Sequence, residues 1–130
     1  MVILLDSSVL IEFARTKKGN FLNVLEEIEE KSGSLITSTL VICEFWSGES
    51  MKSKKAEHEA AEIFQQIKAI PVNEIIAKKA GELRRIYKLQ IADALIAATA
   101  IDSNAQLATL NIKHFKNVPG LTVWQPKSAP

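Results

Sequence analysis

The stretch "VILLDSSVLIEFART", residues 2–16, decides the fold. Val2 to Leu5 form an unbroken apolar run, too short for a helix. A strand with no polar face must be buried on both sides. Asp6 ends the run, and "SSVLIEFART" follows at once as a helix with Ser7 or Ser8 at its N-cap. A buried strand feeding directly into a helix is the opening of a βαβ unit, which implies a parallel sheet.

The rest of the chain continues that alternation. Residues 20–31 place Phe21, Leu22, Leu25 and Ile28 on one helical face, and Gly33 ends the helix. "SLITS" (34–38) reads as a second short strand, and Thr39 as the cap of a helix "LVICEFWSG" that stops near Gly48. A charged stretch becomes helical by about residue 55, with Ala60, Ile63, Phe64 and Ile67 inward. "IPV" (70–72) is a brief strand. Residues 73–88 form a helix that buries Ile76, Ala80, Leu83 and Tyr87 or Ile86. "DALIAATAI" (93–101) is apolar on every side and belongs in the interior. Residues 105–110 and 121–124 are the remaining strands, with a short turn or helix at 111–115 between them. The expectation is an α/β domain over residues 1–124, with a central, mostly parallel sheet flanked by helices on both faces. Residues 125–130 form a frayed tail.

A chain of 130 residues suits one core. Sixteen basic residues against fifteen acidic ones give a formal charge of +1, so no overall field draws in a polyanion, and any nucleic-acid contact must come from local patches. The single cysteine, Cys43, can form no intrachain disulfide and reads as a small core thiol in a reducing cytoplasm. "MVILLD" lacks the basic segment of a signal peptide. No apolar run approaches the ~18 residues of a membrane span.

Three acids stand where acids are costly. Asp6 ends a buried strand, at the sheet edge where α/β ligand sites form. Glu44 shares a helical stripe with Leu40, Val41 and Phe45. Asp93 opens the buried helix. Each has a simpler reading: a helix cap for Asp6, a solvated rim position for Glu44, and macrodipole stabilisation for Asp93. Together they describe a pocket of converging carboxylates, whose repulsion raises a pKa or demands a cation. Hard oxygen ligands suit Mg²⁺ or Mn²⁺, and such a site can support phosphodiester cleavage.

The order "LLDSSVLIEF", "LVICEFWSG", "ADALIAATA", "LATLNIKHF" resembles the PIN-domain family, and within it the VapC-type toxins of toxin–antitoxin pairs. The likeness runs from about residue 2 to residue 124. It implies a Mg²⁺- or Mn²⁺-dependent endoribonuclease acting on RNA, restrained by a small antitoxin protein and assembled as a homodimer. The resemblance carries the acids over to Asp6, Glu44 and Asp93, the neighbouring hydroxyl to Ser8, and a fourth site position to Asn111, where the wider family often has Asp. His114 stands where many relatives carry an acid. It reads as a partly exposed structural histidine, with an RNA contact as the alternative. Two rivals are a phosphatase of the haloacid-dehalogenase type, which wants an acid where Ser8 stands, and a catalytically silent PIN module for RNA or protein binding.

Basic residues recur along the chain, mostly as solvated helix faces. Those expected beside the pocket, and so assigned to RNA, are Arg15, Lys17 and Lys18, and Lys113 with Lys116. The helices around 20–31 and 55–67 are the expected dimer faces.

Overall fold

A computed structural model describes residues 1–127. Strands β1 (Val2–Leu5), β2 (Ser34–Ser38), β3 (Lys68–Ile70), β4 (Gln106–Ala108) and β5 (Thr122–Val123) form one sheet in the order β3-β2-β1-β4-β5. Every pairing is parallel. Leu4 sits opposite Ile36 on one side and Leu107 on the other. The central strand is the all-apolar one, as its sequence requires: Ile3, Leu4 and Leu5 are fully buried.

The helices are α1 (Ser7–Thr16), α2 (Asn20–Lys31), α3 (Thr39–Trp46), α4 (Lys54–Gln65), α5 (Glu74–Tyr87), α6 (Ile91–Asp102) and α7 (Ile112–Phe115). They flank the sheet because the chain reverses its direction of travel. It steps outward from β1 to β3, then crosses back to β4 on the far side of β1. With right-handed crossovers, that reversal sends α5 and α6 to the face opposite α1 and α2. It also opens a crevice at the carboxyl ends of β1 and β4, the place where α/β sheets bind ligands. Helix α6 is the most deeply set, with Ala94, Ile96, Ala97, Ala98, Thr99 and Ala100 all buried. Its run of alanines lets it pack closely along α5.

Several expectations need correction. The cap of α1 is Asp6, whose Oδ1 accepts from the Ser7 N–H at 2.8 Å; Ser7 and Ser8 lie inside the first turn. Ser38, not Thr39, caps α3 by accepting from the Leu40 N–H. In α2, Val24 is buried in place of Leu22, which is exposed. At the end of α5, Ile86 and Tyr87 are both exposed, because the chain turns away through Lys88 in a left-handed conformation. Strand β3 begins two residues earlier than its sequence suggests. Cys43 is exposed on the outer side of α3, so it is not a core thiol. Of the tail, residues 125–127 carry no regular structure, and 128–130 lie outside the described residues.

Candidate active site

Asp6 is held at the crevice by the two strands that open it. Its backbone N–H donates to the Ala108 carbonyl at 3.0 Å, which ties the end of β1 to the end of β4. Its side chain is 4% exposed and well supplied with donors. The Thr109 hydroxyl donates to Oδ2 at 2.6 Å, and the Ser8 hydroxyl donates to the same oxygen at 3.1 Å. Thr109 and Ser8 are braced in turn, since Thr109 Oγ1 accepts from the Asn111 N–H and Ser8 Oγ accepts from the Leu110 N–H, both at 3.0 Å. These interlocked bonds join the start of α1 to the segment after β4.

Glu44 is held differently. It reaches the site from the inner side of α3, between buried Val41 and Phe45. Its Oε1 is buried and has no hydrogen-bond partner. Burial raises its pKa above the ordinary value of 4.5, and the charges of Asp6 and Asp93 raise it further, while the Ser7 hydroxyl lowers it. Asp93 stands in the first turn of α6, two residues beyond its start and not at the cap, which is Gln90. Burial is also the leading cause of its raised pKa. His114 opposes that shift and Asp6 adds to it. The His114 Nδ1–H donates to Asp93 Oδ2 at 3.1 Å. Asp6 thus acts electrostatically on both other acids, and these three side chains form one charged neighbourhood. It is not a closed cage: among the described residues, no three His, Cys, Asp or Glu side chains are already drawn together as a ready-made metal site.

The PIN domain family model matches residues 3–121. The chain belongs to the PIN-domain family. Within it, the chain is 31% identical to ribonuclease VapC2 of Rickettsia felis, over 93% of this chain and 95% of that protein. It is 32% identical to ribonuclease VapC10 of Mycobacterium tuberculosis, over 88% and 86% respectively. Among solved structures, it is similar to a chain of VapBC2 from Rickettsia felis bound to a DNA fragment from its promoter. There the identity is 28% and the TM-score 0.79, with 96% of this chain and 100% of that chain covered.

The other assigned residues fall unevenly around this PIN-domain site. Ser8 is built into the support of Asp6. Asn111 enters through its backbone N–H, and its residue is exposed at the start of α7. Lys113 lines a cleft together with Asp93 and His114, and Lys116 follows α7 on the surface. Arg15, Lys17 and Lys18 stand elsewhere. Asp6 caps one end of α1, while Arg15 lies in its last turn and Lys17 and Lys18 follow it, ~13–15 Å along the helix axis. Lys17 is also engaged by Glu59 at 3.4 Å.

Two residues of the site were given no such role in the sequence reading. Thr109 is 3% exposed, and its position two residues before Asn111, directly after a buried strand, was the available signal. His114 bonds to Asp93 while keeping 55% of its side chain exposed, as expected of a partly exposed structural histidine.

Proposed function

We propose that this PIN domain is an endoribonuclease of the VapC toxin type, dependent on Mg²⁺ or Mn²⁺ and restrained by a cognate antitoxin. The observation that carries this reading is the unpartnered, buried Glu44 Oε1 beside Asp6 and Asp93. A buried carboxylate oxygen without a donor is expensive unless a cation comes to it. The donors are hard oxygens, and burial, with the neighbouring acids adding to it, raises the pKa values of Glu44 and Asp93. The set therefore fits a hard divalent ion. Asp6, Glu44 and Asp93 would hold it. When bound, such an ion supplies an activated water and neutralises charge developing on a phosphodiester.

The protein's own groups have separate tasks. Thr109 and Ser8 fix the Asp6 carboxylate, so that one acid is positioned before any ligand arrives. His114 orients Asp93. Asn111 offers an exposed amide at the rim. Glu44 is left adjustable, on a helix that faces the other two acids. RNA is the substrate this reading assigns, and the matching relatives are named ribonucleases over nearly their whole length.

A toxin of this kind needs a protein inhibitor, and a small antitoxin is the assigned partner. We assign its docking to a groove of ≈ 280 Å³ between α1, α2 and α4, where Phe13, Phe21, Leu25 and Ile63 are bordered by Lys17, Glu59, Glu62 and Gln66. The assigned compartment is the reducing cytoplasm, in keeping with the free thiol of Cys43. No helix among the described residues is long and apolar enough to cross a membrane. For a homodimer, the expected faces of α2 and α4 keep Leu22 exposed, and Ile75, Ile86, Ile91, Leu110 and Ile112 are further exposed apolar residues.

Incubating the purified chain with mixed RNA, with EDTA, Mg²⁺ or Mn²⁺, tests the reading. Metal-dependent internal cleavage is expected. RNA bound but uncut under every metal condition would instead establish the silent-module alternative.

A further inference from the structure

We infer that the cleft between the end of α5, the 88–90 connection and α7 is a subsite for the RNA nucleotide next to the cleaved phosphate. Tyr87 is its base-stacking platform and Lys88 and Lys113 are its phosphate contacts. This rests on the ribonuclease reading and deepens it. The cleft has a volume of ≈ 490 Å³, within the ~300–1,000 Å³ usual for ligand sites. It adjoins the acidic site through Asp93, which with His114 forms part of its wall.

Its chemistry matches a single-stranded polynucleotide. Tyr87, the chain's one tyrosine, is 37% exposed at the end of α5. Among the described residues its ring pairs with no other aromatic, whereas Phe13 pairs with Phe21, and Phe45, Trp46 and Phe64 form a cluster. An exposed ring with no partner beside a charged site is a platform for a base. Lys88 and Lys113 form no ion pair with a carboxylate among the described residues, while Lys17, Lys31, Lys52, Lys78 and Lys127 each have one. Free ammonium groups are the ones available to phosphate. Gln90 and Asn117 also line the cleft, and their amides can both donate and accept at a base edge. The left-handed conformation of Lys88, with φ 61°, ends α5 and turns the chain into the 88–90 connection that lines the cleft.

The test measures binding and cutting separately. Binding of a fluorescent single-stranded RNA to the full chain is followed by anisotropy in EDTA across a salt series, and cleavage is followed in Mg²⁺ or Mn²⁺. Tyr87→Ala is expected to weaken binding roughly tenfold and to raise KM with kcat nearly unchanged. Tyr87→Phe keeps the ring and should keep both values. Lys113→Ala and Lys88→Asn (Asn tolerates the left-handed backbone) should each lower the slope of log K against log salt by about 0.7. Lys31→Ala, at the far end of α2 and paired with Glu27, should not change it. Wild-type affinity and slope in the cleft variants overturn the inference, even if the wild-type chain cuts RNA. So does a wild-type chain that binds no single-stranded RNA, or a Tyr87→Ala whose only change is in sedimentation, which would make the cleft a protein interface. RNA binding that depends on the cleft, in a chain that cuts nothing, would sink the ribonuclease reading and leave the subsite standing.

Discussion

Replacing Thr109 by valine removes one hydroxyl and almost no volume, and its cost follows from the bonds around Asp6. The lost bond is short, 2.6 Å, and runs to a buried carboxylate. A hydrogen bond to a charged group is worth about 1.5–3 kcal/mol. Two features place the expected value near the middle of that range. The Ser8 hydroxyl still donates to the same oxygen, so the carboxylate is not orphaned. The Asn111 N–H loses its acceptor, but it lies at the exposed start of α7, where water can replace the bond. The expected loss is therefore about 2 kcal/mol. For a chain of this length, at about 3–4 °C per kcal/mol, the melting temperature should fall by roughly 6–8 °C. Urea unfolding followed by circular dichroism checks it, with the midpoint lowered and the m-value unchanged. Thr109→Ser should recover most of the loss. In a double-mutant cycle with Asp6→Asn, the two changes should be coupled by about 1–2 kcal/mol, as expected for groups in one network. A loss below about 0.5 kcal/mol, or full additivity in the cycle, refutes the account of Thr109 as the clamp on Asp6.

Asp6→Asn and Asp93→Asn keep shape and remove charge; each should lower RNA cleavage by at least about 100-fold, equivalent to ~2.7 kcal/mol of barrier, in a chain that remains folded by circular dichroism. Ser8→Ala should cost less, since Thr109 still holds Asp6. The raised pKa values of Glu44 and Asp93 set a pH dependence: without metal, both acids favour the protonated form in the folded state, so stability is fullest below their ordinary values of 4.5 and 3.8 and is lost as pH rises through the raised ones. Melting curves in EDTA from acid to neutral pH should show that decline, Glu44→Gln should flatten it, and identical profiles would contradict the assigned burial and repulsion. Mg²⁺ or Mn²⁺ should raise the neutral-pH melting temperature of the wild-type chain more than that of Glu44→Gln, because a ligand bound only by the folded state stabilises it. An arginine of the antitoxin reaching toward Asp6, Glu44 and Asp93 would compete with the ion, so high Mg²⁺ should partly relieve inhibition; inhibition of a purified complex indifferent to Mg²⁺ would show that the antitoxin only blocks access.

What the sequence made legible was whatever periodicity controls. The all-apolar β1 and the all-apolar α6 leave no choice but burial, and between them they fix a parallel sheet with helices on both sides. Glu44 was visible for the same reason: an acid on an apolar stripe breaks a pattern. Boundaries were less legible, because a cap is a competition among neighbouring side chains. Asp6 prevailed over Ser7 and Ser8, and Ser38 over Thr39, on local geometry that composition does not encode. Cys43 and Tyr87 were misplaced because their residue types are often buried, while their helices turn those positions outward. The bonds that Thr109 and His114 make to the acids could not be read from pattern. Their contacts with Asp6 and Asp93 span 103 and 21 residues of sequence, and such pairings exist only once the sheet has closed.

The three acids are supported unequally, and the inequality has a physical logic. Asp6 carries three donors from protein groups: the Ser7 N–H and the hydroxyls of Ser8 and Thr109. Those bonds offset the cost of burying it and freeze its orientation. Glu44 has one buried oxygen with no donor, and Asp93 has one exposed histidine. If all three acids were equally satisfied by the protein, an arriving cation would have to break hydrogen bonds to be bound, and its net affinity would be small. If none were satisfied, their mutual repulsion would work against folding without restraint. Fixing one acid and leaving the others short of partners keeps the folded chain intact and would reserve attraction for a cation. On this argument, a new donor beside Glu44 Oε1 should stabilise the metal-free chain and weaken its metal binding together. Reading both in one calorimetric series tests it, and a variant improved in both would show that the unpaired oxygen serves no such purpose.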